Sequence, residues 1–360
     1  MKAYVVETEK LSYNIERLKE KAKGVPIWAV VKGDGYGLGI LPLARFLKDH
    51  GIQRFCVTEV DEAKTLRQNG FEKAEILMLR QCVSREELET LLDMNVILTV
   101  GSADAGAEAA AVAAQCGKRA GVHIKIDTGM GRFGFLPNET DKVIALFQAE
   151  NLDICGIYTH FNCAFNNDQR TEVEFSAFMQ VVETLRAAGF DPGMVHCCNS
   201  SAFLRHEKMH LDGVRLGSAI LGRIAFSTDL KPVGYVETRI DELRTLPKGH
   251  TTGYGAIWKA KKDTRIAIIP VGWHNGLQVH CQSDVRTFSD SLRAILRGVR
   301  SLIKRNVSTV KIGNCRCPLV GAVGMLHVAV DVSRADCKVG DLVRLEINPL
   351  HVKNMNIEYR

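Results

Sequence analysis

A lysine, Lys32, ends the short apolar run 27–32 and is followed by Gly33-Asp34-Gly35-Tyr36-Gly37-Leu38-Gly39. A lysine held in an apolar setting near other cations loses affinity for its proton and becomes a usable amine nucleophile. Glycines at every second position of the next seven residues let a ligand come close to the backbone. The obvious use of such an amine is a Schiff base with an aldehyde. Pyridoxal 5'-phosphate is the common aldehyde cofactor, and it also needs a site for its phosphate. Asn199, Ser200 and the Gly217–Ser218 backbone offer hydroxyl and N–H donors at a loop or helix start. The alternative for Lys32 is a rim lysine paired with Asp34.

The elements that must position these groups are readable as alternation. Strand-like runs fall at 27–32, 55–58, 75–79, 96–100, 121–126, 154–159, 194–197 and 211–216, with amphipathic helical runs such as 43–50, 84–94, 103–116 and 167–188 between them. Alternating strands and helices argue for a parallel sheet, and eight such units in little more than 200 residues argue for a closed (β/α)8 TIM-like barrel. An open doubly wound sheet is the alternative. Chemistry in a barrel gathers at the C-terminal ends of its strands. There the sequence places Lys32, Asp127 to Arg132, His160, His196 and Arg215. After residue 225 short β-like stretches dominate, and Gly340-Asp341 reads as a turn. The expected division is a barrel over 1–228 and a mostly β C-terminal domain over 229–360. One stretch of the latter, 288–305, has helical apolar spacing and a basic face. It reads as a helix packed on the β domain, or one that meets a partner surface.

Composition narrows the function classes. The chain has 360 residues, 46% hydrophobic and 24% charged, with a net charge of +6, which is diffuse and too small for a nucleic-acid footprint. Neither a membrane-spanning run nor a signal-peptide core is evident. Eleven cysteines, an odd number at irregular spacing, suit free thiols in a reducing cytoplasm better than a disulfide framework. Cys315-x-Cys317 and Cys197-Cys198 have the wrong spacing for structural zinc, so no metal is expected.

The stretch VVKGDGYGLG (30–39) resembles the cofactor-lysine motif of the alanine racemases. IKIDTGMGRFGF (124–135), IYTHF (157–161), HCCNSSA (196–202), RLGSAILG (215–222), TGYG (252–255) and VGAVGMLHVAVDV (320–332) resemble that family's later motifs, in its order and spacing. The resemblance covers nearly the whole chain. It implies a pyridoxal-phosphate enzyme that interconverts L- and D-alanine, working as a homodimer with active sites at the subunit interface. Lys32 would hold the cofactor and act as one acid-base group. Tyr254, donated by the other subunit, would be the second, on the opposite face. Tyr36, Asn199, Ser200, Gly217, Ser218 and Tyr359 would seat the phosphate. His160, Arg215 and His196 would support the tyrosine, with Arg215 at the pyridine nitrogen. Arginine cannot accept a proton from that nitrogen, and its charge disfavours protonation there, which limits delocalisation and favours return of the proton to the α-carbon. Arg132 and Met325 would bind the substrate carboxylate. Lys125 falls where the family's lysine is often carbamylated, against an ordinary Lys125–Asp127 charge contact.

The sequence also departs from the family pattern. Gly33, Gly35 and Leu38 stand where alanines and a histidine are usual, VGWHNGLQ (271–278) places Trp273 in the entryway, and Leu326 replaces an aspartate. HVKNMNIE before Tyr359 lacks the expected arginine, and 277–312 reads as an insertion. These changes are compatible with alanine and equally with serine or a longer side chain. A fold-related decarboxylase and a non-catalytic pyridoxal-phosphate protein are the competing readings. Arg215 and Gly324 speak against the first; the β domain and Tyr254 speak against the second.

Overall fold

A computed structural model describes residues 2–279, 291–292, 295–296 and 308–360. The chain divides into two compact units, Thr8–Val233 and Met1–Glu7 with Gly234–Arg360. The sequence division at 228/229 thus lies five residues early, and the first seven residues belong with the C-terminal unit. They carry an apolar strand, β1 (Ala3–Val6), which pairs there.

The unit Thr8–Val233 holds eight parallel strands: β2 (Ile27–Val30), β3 (Arg54–Val57), β4 (Glu75–Met78), β5 (Leu98–Val100), β6 (Ala120–Lys125), β7 (Leu152–Tyr158), β8 (Met194–His196) and β9 (Val214–Leu216). They form two runs, β4-β3-β2-β9 and β5-β6-β7-β8. Parallel bridges Leu77–Ile97 and His196–Gly213 join the runs at both ends, so the sheet closes into a (β/α)8 barrel. The strands are short and apolar because helices cover their outer face while side chains fill the lumen. The helix Thr8–Ala22 buries Leu11, Ile15, Leu18 and Ala22 on one stripe. The helix Asp168–Ala187 begins where Asn167 accepts the Arg170 N–H.

In the second unit, β10 (Tyr235–Arg239), β11 (Glu242–Leu246), β14 (Thr264–Ile269), β15 (Thr309–Ile312), β16 (Cys315–Val320), β17 (Val328–Asp331), β18 (Leu342–Leu345) and β19 (Asn356–Tyr359) join β1 in one nine-stranded sheet. A small hairpin, β12 (Thr251–Thr252) with β13 (Trp258–Lys259), stands beside it. β1 runs antiparallel to β10 and parallel to β19, so the two chain ends lie side by side. The Gly340 turn forms as expected, with Asp341 accepting the Lys338 N–H. The last residues of the expected insertion 277–312 are β15, paired with β16 and β18, and so belong to the sheet. The helix expected over 288–305 lies outside the described residues, apart from four positions.

Candidate active site

The first strand stops at Val30, two residues before Lys32. Lys32 heads a turn in which Gly33, Asp34, Gly35 and Tyr36 all have left-handed φ, between 51° and 65°. Glycine adopts this conformation freely, whereas an L side chain pays about 1–2 kcal/mol. Asp34 and Tyr36 carry that cost, and the fold holds them. Asp34 Oδ1 accepts the Ile40 N–H at 2.8 Å, so it serves the turn rather than pairing with Lys32. Glu62 Oε1 accepts the Gly33 N–H at 2.6 Å. Burial, and then the charge of Arg132, lowers the pKa of Lys32, while Glu62 opposes them. This is the direction a nucleophilic amine requires.

Arg132 is the cation whose charge reaches that lysine, and other cations stand at or near the ends of other strands. Lys125, at the end of β6, is 1% exposed. It donates to the Phe133 carbonyl and stands 4.3 Å from the Phe133 ring centroid. Burial pushes its pKa down to about 8, against the pull of Asp127. Asp127 is tied to the backbone. Oδ1 accepts N–H bonds from Gly129, Met130 and Gly131, and Oδ2 accepts one from Arg132. Burial alone would raise its pKa, but these bonds outweigh it and the carboxyl ends lower than usual. His160 is driven well below the usual histidine range by burial and then by the charges of Arg215, Arg132, Lys125 and Lys32.

Arg215 on β9 is 3% exposed and fully engaged. Nη1 donates to His196 Nδ1 at 2.7 Å, and Nη2 donates to the Thr159 carbonyl at 2.7 Å. The guanidinium lies 4.8 Å from the Tyr158 ring centroid. Because arginine only donates, His196 Nδ1 must accept. His196 Nε2 then carries hydrogen and donates to His123 Nδ1 at 2.9 Å. Burial, with Arg215 behind it, holds His196 well below its ordinary range and pushes His123 down to about 3, so both rings are neutral. The sequence reading missed His123. Its signal was the strand period, since His123 and Lys125 are two apart on β6 and share a face.

On the far side of the lysine turn, a Cβ at Gly217 would lie 2.3 Å from Tyr36 Oη, so glycine alone lets the tyrosine seat there. Ser200 Oγ accepts the Gly217 and Ala219 N–H groups, both at 3.2 Å. This hydroxyl, these amides and Tyr36 converge as a small polar cradle, beside half-buried Ser218. Asn199, expected among the phosphate ligands, is used otherwise. Its Oδ1 accepts from Ser201 and Ala202 N–H as a helix cap, and its Nδ2 donates to the Phe161 carbonyl. Glu62 was also missed. Its capping pattern with Glu59 is readable in the sequence, but its reach to Gly33 is not.

The second unit carries the remaining expected residues. Tyr254 is 80% exposed and flanked by Gly253 and Gly255, both with positive φ. A Cβ on Gly253 would lie 2.7 Å from Ala322 N, so the loop packs tightly beneath the tyrosine. Tyr254, Met325 and Leu326 line one mostly apolar cavity of ≈ 550 Å³ with Ile268 and Ala329. Trp273 N–H donates to Gly324 O and His274 N–H to Met325 O, both at 3.1 Å, which binds the VGWHNG stretch to the cavity's edge. Tyr359 ends β19, opposite Val6 of β1.

Two family descriptions match the chain. "Alanine racemase, N-terminal domain" matches residues 6–224, and "Alanine racemase, C-terminal domain" matches 233–356. An alanine racemase of Clostridium tetani is 34% identical over 350 residues, covering 94% of this chain and 84% of that protein. One from Desulforamulus reducens is 32% identical, with coverages of 94% and 88%. Among solved structures, the Clostridium difficile alanine racemase superposes with a TM-score of 0.82 at 25% identity, over 96% of this chain and 86% of that one. The Streptomyces lavendulae enzyme reaches 0.84 at 21% identity, over 100% and 97%, a likeness of fold.

Proposed function

The chain belongs to the alanine racemase family, and from that premise we propose that it interconverts L- and D-alanine with Lys32 and Tyr254 of the partner subunit on opposite faces of the α-carbon, one removing its proton and the other delivering one. It is a racemase, an isomerase acting on a small amino acid. Enzymes of this family generally work with pyridoxal 5'-phosphate.

The residues present fit that cofactor. Lys32 is a semi-buried amine with a lowered pKa, and the Tyr36 hydroxyl, packed over Gly217 where no Cβ could stand, meets the buried Ser200 hydroxyl at that glycine as polar groups suited to a phosphate. Lys32 would hold the cofactor through its amine. Tyr36, Ser200, Gly217 and Ser218 would take its phosphate, with Tyr359 as a further donor, and Arg215 would face its ring nitrogen. When bound, the cofactor supplies an electron sink for the pair left on the α-carbon.

The protein's own residues then set the outcome. Lys32 removes or returns the α-proton on one face of the carbon. A tyrosine on the opposite face completes inversion, and a free phenol near pKa 10 needs nearby cations to act at neutral pH. Arg215 would provide that charge, with His160, held neutral by burial and the surrounding cations, as the hydrogen-bonding link to the tyrosine. Arg132 and the Met325 backbone would orient the substrate carboxylate. The free thiols of the ten described cysteines support a cytoplasmic location, and among the described residues no helix is long and apolar enough to cross a membrane. The homodimer is part of the proposal, because the second acid-base group comes from it.

The observation that carries this reading is Arg215 fixed by His196 and Thr159, a permanent cation with no acceptor site where many related chemistries need a carboxylate. The test is α-deuterium exchange and loss of optical rotation in D2O, run on L- and D-alanine and a panel of other amino acids. Inversion of alanine above the rest supports the proposal. Release of carbon dioxide, or no exchange in cofactor-loaded protein, overturns it.

A further inference from the structure

An amine is placed only as well as the backbone that carries it. The backbone after Lys32 is in an uncomfortable state, with four successive left-handed residues, two of them bearing side chains. The first N–H groups of this turn meet one carboxylate. Glu62 Oε1 accepts from Gly33 N–H at 2.6 Å and lies 3.4 Å from Asp34 N. Its other oxygen, Oε2, accepts from Thr58 N–H at 2.9 Å and Glu59 N–H at 3.1 Å, completing a reciprocal cap on the helix Val60–Arg67. One side chain therefore joins the loops that follow β2 and β3. Bonds from N–H to an ionised carboxylate are roughly twice as strong as neutral ones. Both oxygens are occupied by backbone donors, so this carboxylate is placed to strap rather than to exchange protons.

We infer that Glu62 is a positioning residue for Lys32: its carboxylate clamps the left-handed turn to the start of the Val60–Arg67 helix and so fixes where the amine stands. The inference rests on the reading of Lys32 as the cofactor-holding amine. The charge of Glu62 adds a second effect. It favours the protonated amine, against burial and Arg132.

The test uses full-length wild type, Glu62→Gln, Glu62→Asp and a control, Asp61→Asn, which removes the neighbouring charge from a side chain 92% exposed. Backbone amide exchange over residues 31–36 needs neither cofactor nor turnover. In the wild type, Gly33 N–H should be protected. In both Glu62 variants the segment should exchange at least roughly tenfold faster, with the global melting transition retained. Cofactor capture should titrate at lower pH in Glu62→Gln and near the wild-type pH in Glu62→Asp. Turnover should fall in both, on the order of tenfold to a hundredfold with a smaller change in KM, as misplacement of a reacting group predicts. An unprotected Gly33 in the wild type overturns the inference whatever the variants do. So does Glu62→Gln with wild-type exchange, pH midpoint and kcat, or a fall in kcat with exchange and midpoint unchanged. Borohydride trapping followed by peptide mapping separates the two claims. Cofactor fixed to a lysine other than Lys32 overturns the underlying reading as well, whereas cofactor on Lys32 with silent Glu62 variants overturns the clamp alone.

Discussion

Arg215 Nη1 donates to His196 Nδ1 across 2.7 Å, and this one bond decides the state of both rings behind it. The guanidinium has no acceptor to offer, so His196 is fixed as the Nε2–H tautomer and its hydrogen passes to His123 Nδ1. The arginine is thereby kept positive and immobile, held also by the Thr159 carbonyl. Replacing it with a neutral side chain should change the reaction as well as its rate. Arg215→Gln should lower racemisation by at least roughly a hundredfold, as loss of one preorganised electrostatic group does. It should also raise the share of turnovers that end in transamination, read as pyruvate formed per alanine inverted. A variant with normal partition between the two products would remove Arg215 from the control of reaction type.

The neutral histidine pair predicts a pH dependence of stability. His123 has its pKa depressed to about 3, against an ordinary value near 6.5. Below pH 6.5 the unfolded chain binds a proton that the native state refuses, so stability falls as pH drops toward 3. For this one group the loss between pH 7 and pH 5 is about 2 kcal/mol. His196 and His160 are depressed in the same direction and add to it. Urea unfolding across this range should show the slope, and His123→Gln should flatten it by about one proton. An identical slope in that variant would mean that His123 titrates normally in the fold.

Much of this was legible in the sequence. The barrel was readable because parallel strands buried on both faces are plain apolar runs, as at Ile76-Leu77-Met78. The lysine and its run of glycines stand out in the sequence, but the conformation of the turn does not. The strand ends at Val30, and a left-handed turn has no signature beyond glycine content, so Asp34 and Tyr36 gave no warning. For Asn199 a helix cap and an anion ligand call for the same residue type, and only coordinates show that its oxygen is spent on the cap. Glu62 and His123 act through partners 29 and 73 residues away, and no local pattern encodes that.

Lys125, with its pKa lowered to about 8 by burial, becomes a free amine as pH rises through that value. Carbon dioxide reacts with free amines only. Incubation with 13C-bicarbonate should therefore give a carbamate signal that grows as pH rises through about 8 and is missing from Lys125→Met. A signal that persists in the variant, or none at pH 9, would leave Lys125 as the ordinary charge partner of Asp127.

Gly217 sets the depth at which Tyr36 sits. A methyl group there would lie 2.3 Å from Tyr36 Oη and 2.7 Å from Cζ, closer than atoms pack, so Gly217→Ala must push the ring away. Overpacking of this kind costs about 1–3 kcal/mol. The melting temperature should fall by several degrees, and cofactor affinity by about tenfold, read by equilibrium dialysis of pyridoxal phosphate. Unaltered affinity at a lowered melting temperature would show that the contact is structural and the cradle lies elsewhere.

Tyr254 is the expected residue whose loss should cost the fold least. It is 80% exposed, so Tyr254→Phe should leave stability within about 0.5 kcal/mol of wild type. Its hydroxyl nevertheless carries half of the proposed chemistry. With the phenol gone, Lys32 still serves its own face of the carbon. Exchange of the α-proton with solvent should then survive for the enantiomer that presents its proton to Lys32 and fall steeply for the other. Inversion should fall in both directions, because each direction needs both groups. Parallel deuterium wash-in from L- and D-alanine reads the difference directly. An equal loss of exchange from both enantiomers would mean that one group serves both faces, and the two-base assignment of Lys32 and Tyr254 would be wrong.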